Sequence, residues 1–202
     1  MRLAPSDELL LLARPRSAYA ALAERTPPTA PAAWVLVRRP LLALLMIGAF
    51  VSISTAGRFT LWHVVLAGFG WSFVPAIQIF WLLILRLRNG RARTAADTID
   101  LFFAGHGAWY ALASALMLLI TVAPWLADRI HGIEWLFILG IGIIGALIHG
   151  VITTATFVRN VWARTRRQTF RITVTYYLAV SATVLGYYLW MGQVMPLLVP
   201  HR

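Results

Sequence analysis

Residues 135–158, WLFILGIGIIGALIHGVITTATFV, carry no charged side chain between Glu134 and Arg159, and that run decides which solvent the chain can fold in. As a helix it is long enough for a hydrocarbon core of roughly 30 Å at a rise of about 1.5 Å per residue. Four more apolar runs precede or follow it, divided by short strips of arginine. Of the 202 residues 60% are hydrophobic and 12% charged, whereas a soluble domain has about 25% charged residues. In water, much of this apolar surface would be exposed and would drive association. The expectation is an all-α, polytopic membrane helix bundle.

Its five transmembrane helices are expected at approximately 40–56, 61–85, 99–125, 133–158 and 172–194. Trp34 and Val35 to Val37 would lie at the interface before the first of them, and Gly57 to Thr60 would make a tight reversal after it. Residues 32–202 thus form the membrane domain, and residues 1–31 a cytoplasmic amphipathic segment with a proline-rich linker, TPPTAP. The segment Ser6 to Glu24 reads as an interfacial helix. Ser6 would cap it, Asp7 and Glu8 suit its first turn, and Pro15 interrupts it. Arg14, Arg16 and Arg25 would hold it at the headgroups. A cleaved signal peptide fits less well, because Asp7 and Glu8 intrude and no small-residue cleavage site follows.

Orientation follows from the arginines. Six precede span one, four follow span two and five follow span four, which puts 15 on one side; Arg58, Arg129 and Arg202 make three on the other. By the positive-inside rule the N-terminus is cytoplasmic, and five crossings leave the C-terminus outside. The net charge of +11 therefore reflects topology rather than a nucleic-acid partner, since the cations flank apolar runs where they meet anionic headgroups. All 18 basic residues are arginine, which points to GC-rich coding and a bacterial inner membrane. The absence of cysteine removes thiolate metal sites and a cysteine nucleophile.

Few residues inside the spans bear chemistry. His106, in FFAGHGAWY, and His149, in GALIHGVIT, could face one another on antiparallel helices and ligate haem b through imidazole, with Gly105, Gly107, Gly145 and Gly150 leaving room for the porphyrin. Helix packing explains the same residues more simply. Two histidines without a carboxylate or cysteine fall short of a zinc site. Asp97 and Asp100 read as caps for the start of span three.

Gly107, Ala111 and Ala115 recur every fourth residue in span three, as do Gly142, Ala146 and Gly150 in span four, which predicts close contact between these spans. Pro75 falls mid-span, where it would free the Trp71 carbonyl; with Ser72 and Gln78 nearby, it marks a kink or a transport pathway. No Ser-His-Asp set, zinc-protease motif or phosphate loop appears, so catalysis is not expected.

RPRSAYAALAE, followed by a proline-bearing linker and five apolar helices, resembles the Yip1 domain family. That resemblance implies a cytoplasmic N-terminal region and five spans. Eukaryotic members are associated with Rab GTPases, but the DLYGP-type signature of those members is absent, and their partners are not implied here. The sequence reading is a noncatalytic membrane scaffold or interaction protein without a cofactor, whose partners are the lipid bilayer and a membrane protein or second copy. A haem-b electron-transfer subunit using His106 and His149 is the first alternative. A small-molecule transporter or channel component is the second.

Overall fold

The computed structural model describes residues 7–24, 31–89, 93–122 and 132–198, and among them regular structure is entirely helical. In chain order the helices are α1 (Asp7–Ala13), α2 (Pro15–Glu24), α3 (Ala32–Ala56), α4 (Leu61–Gly70), α5 (Phe73–Asn89), α6 (Ala95–Ala104), α7 (Gly107–Val122), α8 (Gly132–Val161) and α9 (Arg166–Leu198). Ser6, most of the TPPTAP linker, Gly90 to Ala92 and the loop containing Trp125 and Asp128 to His131 lie outside the described residues.

Three of these helices, α3, α8 and α9, are each long and apolar enough to cross a membrane. Two pairs reach that length only jointly: α4 with α5, bent by 41°, and α6 with α7, bent by 46°. The bundle therefore offers three to five crossings. Large apolar side chains lie on its outer surface, which is compatible with a lipid surrounding: Phe69, Val122, Ile141 and Phe137 are all largely exposed.

Span one begins earlier than expected. The helix α3 runs unbroken from Ala32, taking in Trp34 to Val37 and carrying Pro40 in its interior. It ends at Gly57, whose φ of 64° is left-handed and whose N–H donates to the Ile53 carbonyl. Buried Ser52 secures the reversal by accepting the Thr60 N–H at 2.9 Å and donating to the Arg58 carbonyl at 3.0 Å.

Both breaks differ from the continuous spans expected there. At the first, the Ser72 N–H bonds the Phe69 carbonyl and the Val74 N–H bonds the Trp71 carbonyl. Pro75 thus lies in the first turn of α5, where a missing N–H loses nothing, and the Trp71 carbonyl is occupied rather than freed. Gln78 is half-buried one turn on. At the second break, Gly105 and His106 donate to the carbonyls of Phe102 and Phe103, three residues back, and the tightened turn changes the helix direction. Span three thereby starts at Ala95 and is interrupted at one of the two candidate ligands.

The turn from α8 to α9 is tight. Ala163 takes a left-handed φ of 50°, and the Arg164 N–H returns to the Arg159 carbonyl, the six-to-one bond of a Schellman ending. Thr165 and Gln168 then bond each other's backbone N–H reciprocally, a capping box that starts α9 six residues before the expected Ile172.

The largest correction concerns the N-terminal segment. Its break falls at Pro15 as expected, but α1 and α2 are not a separate surface segment; they pack into the helix bundle. Leu11, Tyr19 and Leu22 are buried in one cluster with Phe102, Phe103, Phe157 and Trp162, while Leu9 and Leu10 face outward. On α1 the acids Asp7 and Glu8 and the side chain of Leu11 thus face the bundle, and Leu9 and Leu10 face away from it.

Candidate functional site

Arg39, on α3, is the centre of the buried polar chemistry. Its Nε donates to Glu8 at 2.8 Å and Nη2 to Asp7 at 2.9 Å, both on α1. Nη1 donates to the Asp100 carboxylate at 2.5 Å and to the Asp100 carbonyl at 3.0 Å, both on α6. Arg38 adds a bidentate grip on Asp100, with Nε at 2.6 Å and Nη2 at 2.5 Å. The Arg39 side chain is 9% exposed and that of Asp100 is 4% exposed. Two guanidinium groups thus meet three carboxylates, the arrangement in which a charge tolerates burial.

Asp100 is therefore no helix cap. The cap of α6 is Thr94, whose hydroxyl accepts the Asp97 N–H, while Asp97 itself pairs with Arg93 at 2.6 Å. Other loop arginines cover helix C-termini, where carbonyls lack partners and the dipole favours cations. Arg93 donates to the Ala23 carbonyl at 2.5 Å, at the end of α2. Arg164 donates to the Asn89 carbonyl at the end of α5 with two of its nitrogens. Arg86, within α5, donates instead to the Arg93 carbonyl ahead of α6. These bonds gather the arginine-rich segments at one end of the bundle.

The two candidate haem ligands have different surroundings. His149 bonds the Leu12 carbonyl through Nε2 at 3.2 Å. His106 stacks on Phe103 with ring centroids 4.7 Å apart. Both Nδ1 atoms are buried without a hydrogen-bond partner. Three of the four neighbouring glycines meet protein: a Cβ on Gly107 would lie 2.8 Å from the Glu8 carbonyl oxygen, on Gly105 2.6 Å from the Tyr19 hydroxyl, and on Gly150 3.1 Å from the Tyr177 hydroxyl. Only at Gly145 does no atom approach. Tyr19 is sealed in, its hydroxyl donating to the Leu101 carbonyl at 3.1 Å, and burial pushes its phenol pKa up against the opposing effect of Arg39.

The small-residue stripes are used unequally. On α8, a Cβ on Gly142 would press on Leu112 of α7, Gly150 meets α9 and α7, and Ala146 is buried. The expected partner stripe does not answer them: Gly107 receives α1, and Ala111 and Ala115 are exposed. The tightest helix pair is instead α3 with α4. A Cβ on Gly48 would overlap the Val64 carbonyl oxygen, and one on Gly68 would lie 3.2 Å from that of Leu44. The sequence reading passed over this pair; the signal was two glycines at nearly equal distances on either side of the Gly57 reversal.

Among the described residues no three His, Asp or Glu side chains are grouped as metal ligands. Comparison with known proteins adds no kinship: no family model matches the chain, and neither a curated protein nor a solved structure matches it.

Proposed function

We propose that the chain is a noncatalytic scaffold or interaction protein of the bacterial inner membrane, Yip1-like in architecture. In this reading it crosses five times, with its N-terminus in the cytoplasm and its C-terminus outside. The observation that carries the scaffold reading is the use made of the buried charges. Asp7, Glu8, Arg38, Arg39 and Asp100 bond one another across α1, α3 and α6, so the polar groups of the interior serve assembly. The 41° and 46° breaks are compatible with each bent pair making one crossing, and the arginine strips choose the orientation. The exposed Ala111 and Ala115 leave a small-residue face open to a membrane partner or second copy.

The chain contains no cysteine, which permits a clean test. Ala115→Cys in native membranes should crosslink to a partner or to itself, whereas Ile141→Cys on lipid-facing α8 should not. Equal crosslinking at both positions would remove the basis for a specific contact. Reporter fusions at the two termini test the orientation separately. One observation keeps the haem-b reading in view, namely the two unpartnered Nδ1 atoms. A Soret band in the purified protein, lost in both His106→Ala and His149→Ala, would replace the scaffold reading with that one.

A further inference from the structure

A cleft of about 710 Å³ opens between the start of α2, the end of α8 and the start of α9. Its polar rim carries Arg16, Arg159 and Arg166, one from each of these helices, together with Asn160. A second hollow of about 390 Å³ shares Arg16 and Ile152 with it and adds Arg14. No carboxylate lines either hollow, and none of these four arginines forms an ion pair among the described residues. In this they differ from Arg38, Arg39 and Arg93, whose charges are already matched.

The cleft has an apolar side as well. Ile152 and Phe170 line it and are exposed by 45% and 69%. Thr169, also in the lining, is 93% buried by its 7% exposure, and its hydroxyl has no hydrogen-bond partner. A buried hydroxyl left unpaired is costly and marks a missing acceptor or donor. The capping box of Thr165 and Gln168 satisfies backbone donors at this end of α9, so the guanidinium groups and the Thr169 hydroxyl remain for a ligand.

We infer that this cleft binds the phosphate headgroup of one anionic phospholipid, with Arg16, Arg159 and Arg166 around the phosphate and an acyl chain along Ile152 and Phe170. Guanidinium groups from three helices lining one cleft, with no acid among them, favour a phosphate diester. The adjoining exposed apolar side chains favour a lipid over a soluble phosphate. The inference rests on the membrane reading above, though not on the direction of insertion.

The test uses the full chain, taken from carbonate-washed membranes into a neutral detergent. Native mass spectrometry then measures binding of dioleoylphosphatidylglycerol, with dioleoylphosphatidylcholine and inorganic phosphate as the contrasting probes. One phosphatidylglycerol per chain is expected, in preference to phosphatidylcholine and undisturbed by millimolar phosphate. Each of Arg16→Gln, Arg159→Gln and Arg166→Gln should weaken it about fivefold, and Arg88→Gln, on α5 at the same end of the bundle, should leave it unchanged. Thr169→Val should also weaken lipid binding while leaving the lipid-free melting temperature unchanged or higher, a pair of effects that misfolding does not produce.

Equal binding of both lipids, or an equal loss in Arg88→Gln, would reduce the cleft to diffuse electrostatics and overturn the site. Competition by inorganic phosphate would assign it to a soluble anion instead. If carbonate strips the protein from the membrane, the membrane reading falls and the lipid site with it; if the protein stays and no lipid binds, only the site falls.

Discussion

Replacing Arg39 by Met keeps the length of the side chain and removes its charge. In the native protein this guanidinium makes two hydrogen bonds to α1 and two to Asp100, one of them to its backbone carbonyl. After the change Arg38 still holds Asp100, but Asp7 and Glu8 lose the cation that they face. Breaking a buried pair from one side costs about 3–5 kcal/mol, and the low end, about 3 kcal/mol, applies here because Asp7 and Glu8 are each 22% exposed. For a chain of this size that lowers the melting temperature by roughly 6–12 °C. Thermal unfolding in detergent, followed by tryptophan fluorescence, reads the loss.

The position of the bonds adds a local signature. Without its anchor α1 should undock and carry α2 with it, exposing the Arg16–Ser17 bond to trypsin. Arg38→Met is the control: this side chain is 34% exposed and bonds Asp100 but neither Asp7 nor Glu8. It should cost less and leave that bond protected. Combining Arg39→Met with Asp7→Asn and Glu8→Gln, with the Arg38–Asp100 pair kept, should recover much of the stability, since an uncharged replacement of a buried ion network is often neutral. The reasoning is wrong if Arg39→Met melts within about 1 kcal/mol of the native protein and trypsin treats both alike.

Glycine substitutions should differ in sign. Gly48→Ala forces α3 from the Val64 carbonyl and should cost about 1–3 kcal/mol, whereas Gly145→Ala, with open space around it, should gain about 0.5–1 kcal/mol of helix stability. Parallel melting curves decide it. Ala163→Gly should stabilise by about 0.5–1 kcal/mol, because it relieves a left-handed alanine at a position where glycine is at ease; a lower melting temperature would contradict that.

The helical class and the apolar runs were legible because hydropathy over twenty or so residues needs no knowledge of tertiary contacts. The breaks were harder to read. Pro75 marked the first only approximately, since proline favours the turn after a break as readily as the interior of a kink. Nothing local marked His106 as an interruption. The ion hub was half-visible: Arg38 and Arg39 were read as topology signals and Asp100 as a cap. Their bonds join residues 31 to 62 positions apart, and no sequence period relates them. A stricter rule would have found the pair, since a carboxylate one turn or more inside an apolar helix needs a cation. The stripe of Gly107, Ala111 and Ala115 misled because small residues mark close approach without naming what approaches. At Gly107 it is the N-terminal helix.

The insertion of α1 also dictates an order of assembly. This seven-residue helix is too short to persist alone, yet it leaves the ribosome ahead of every group that holds it. Arg39 follows Glu8 by 31 residues, Asp100 follows Arg39 by 61, and His149 follows Leu12 by 137. The docking of α1 is therefore complete only after α8 has been made, and until then its acids and the Leu12 carbonyl wait for the groups that satisfy them.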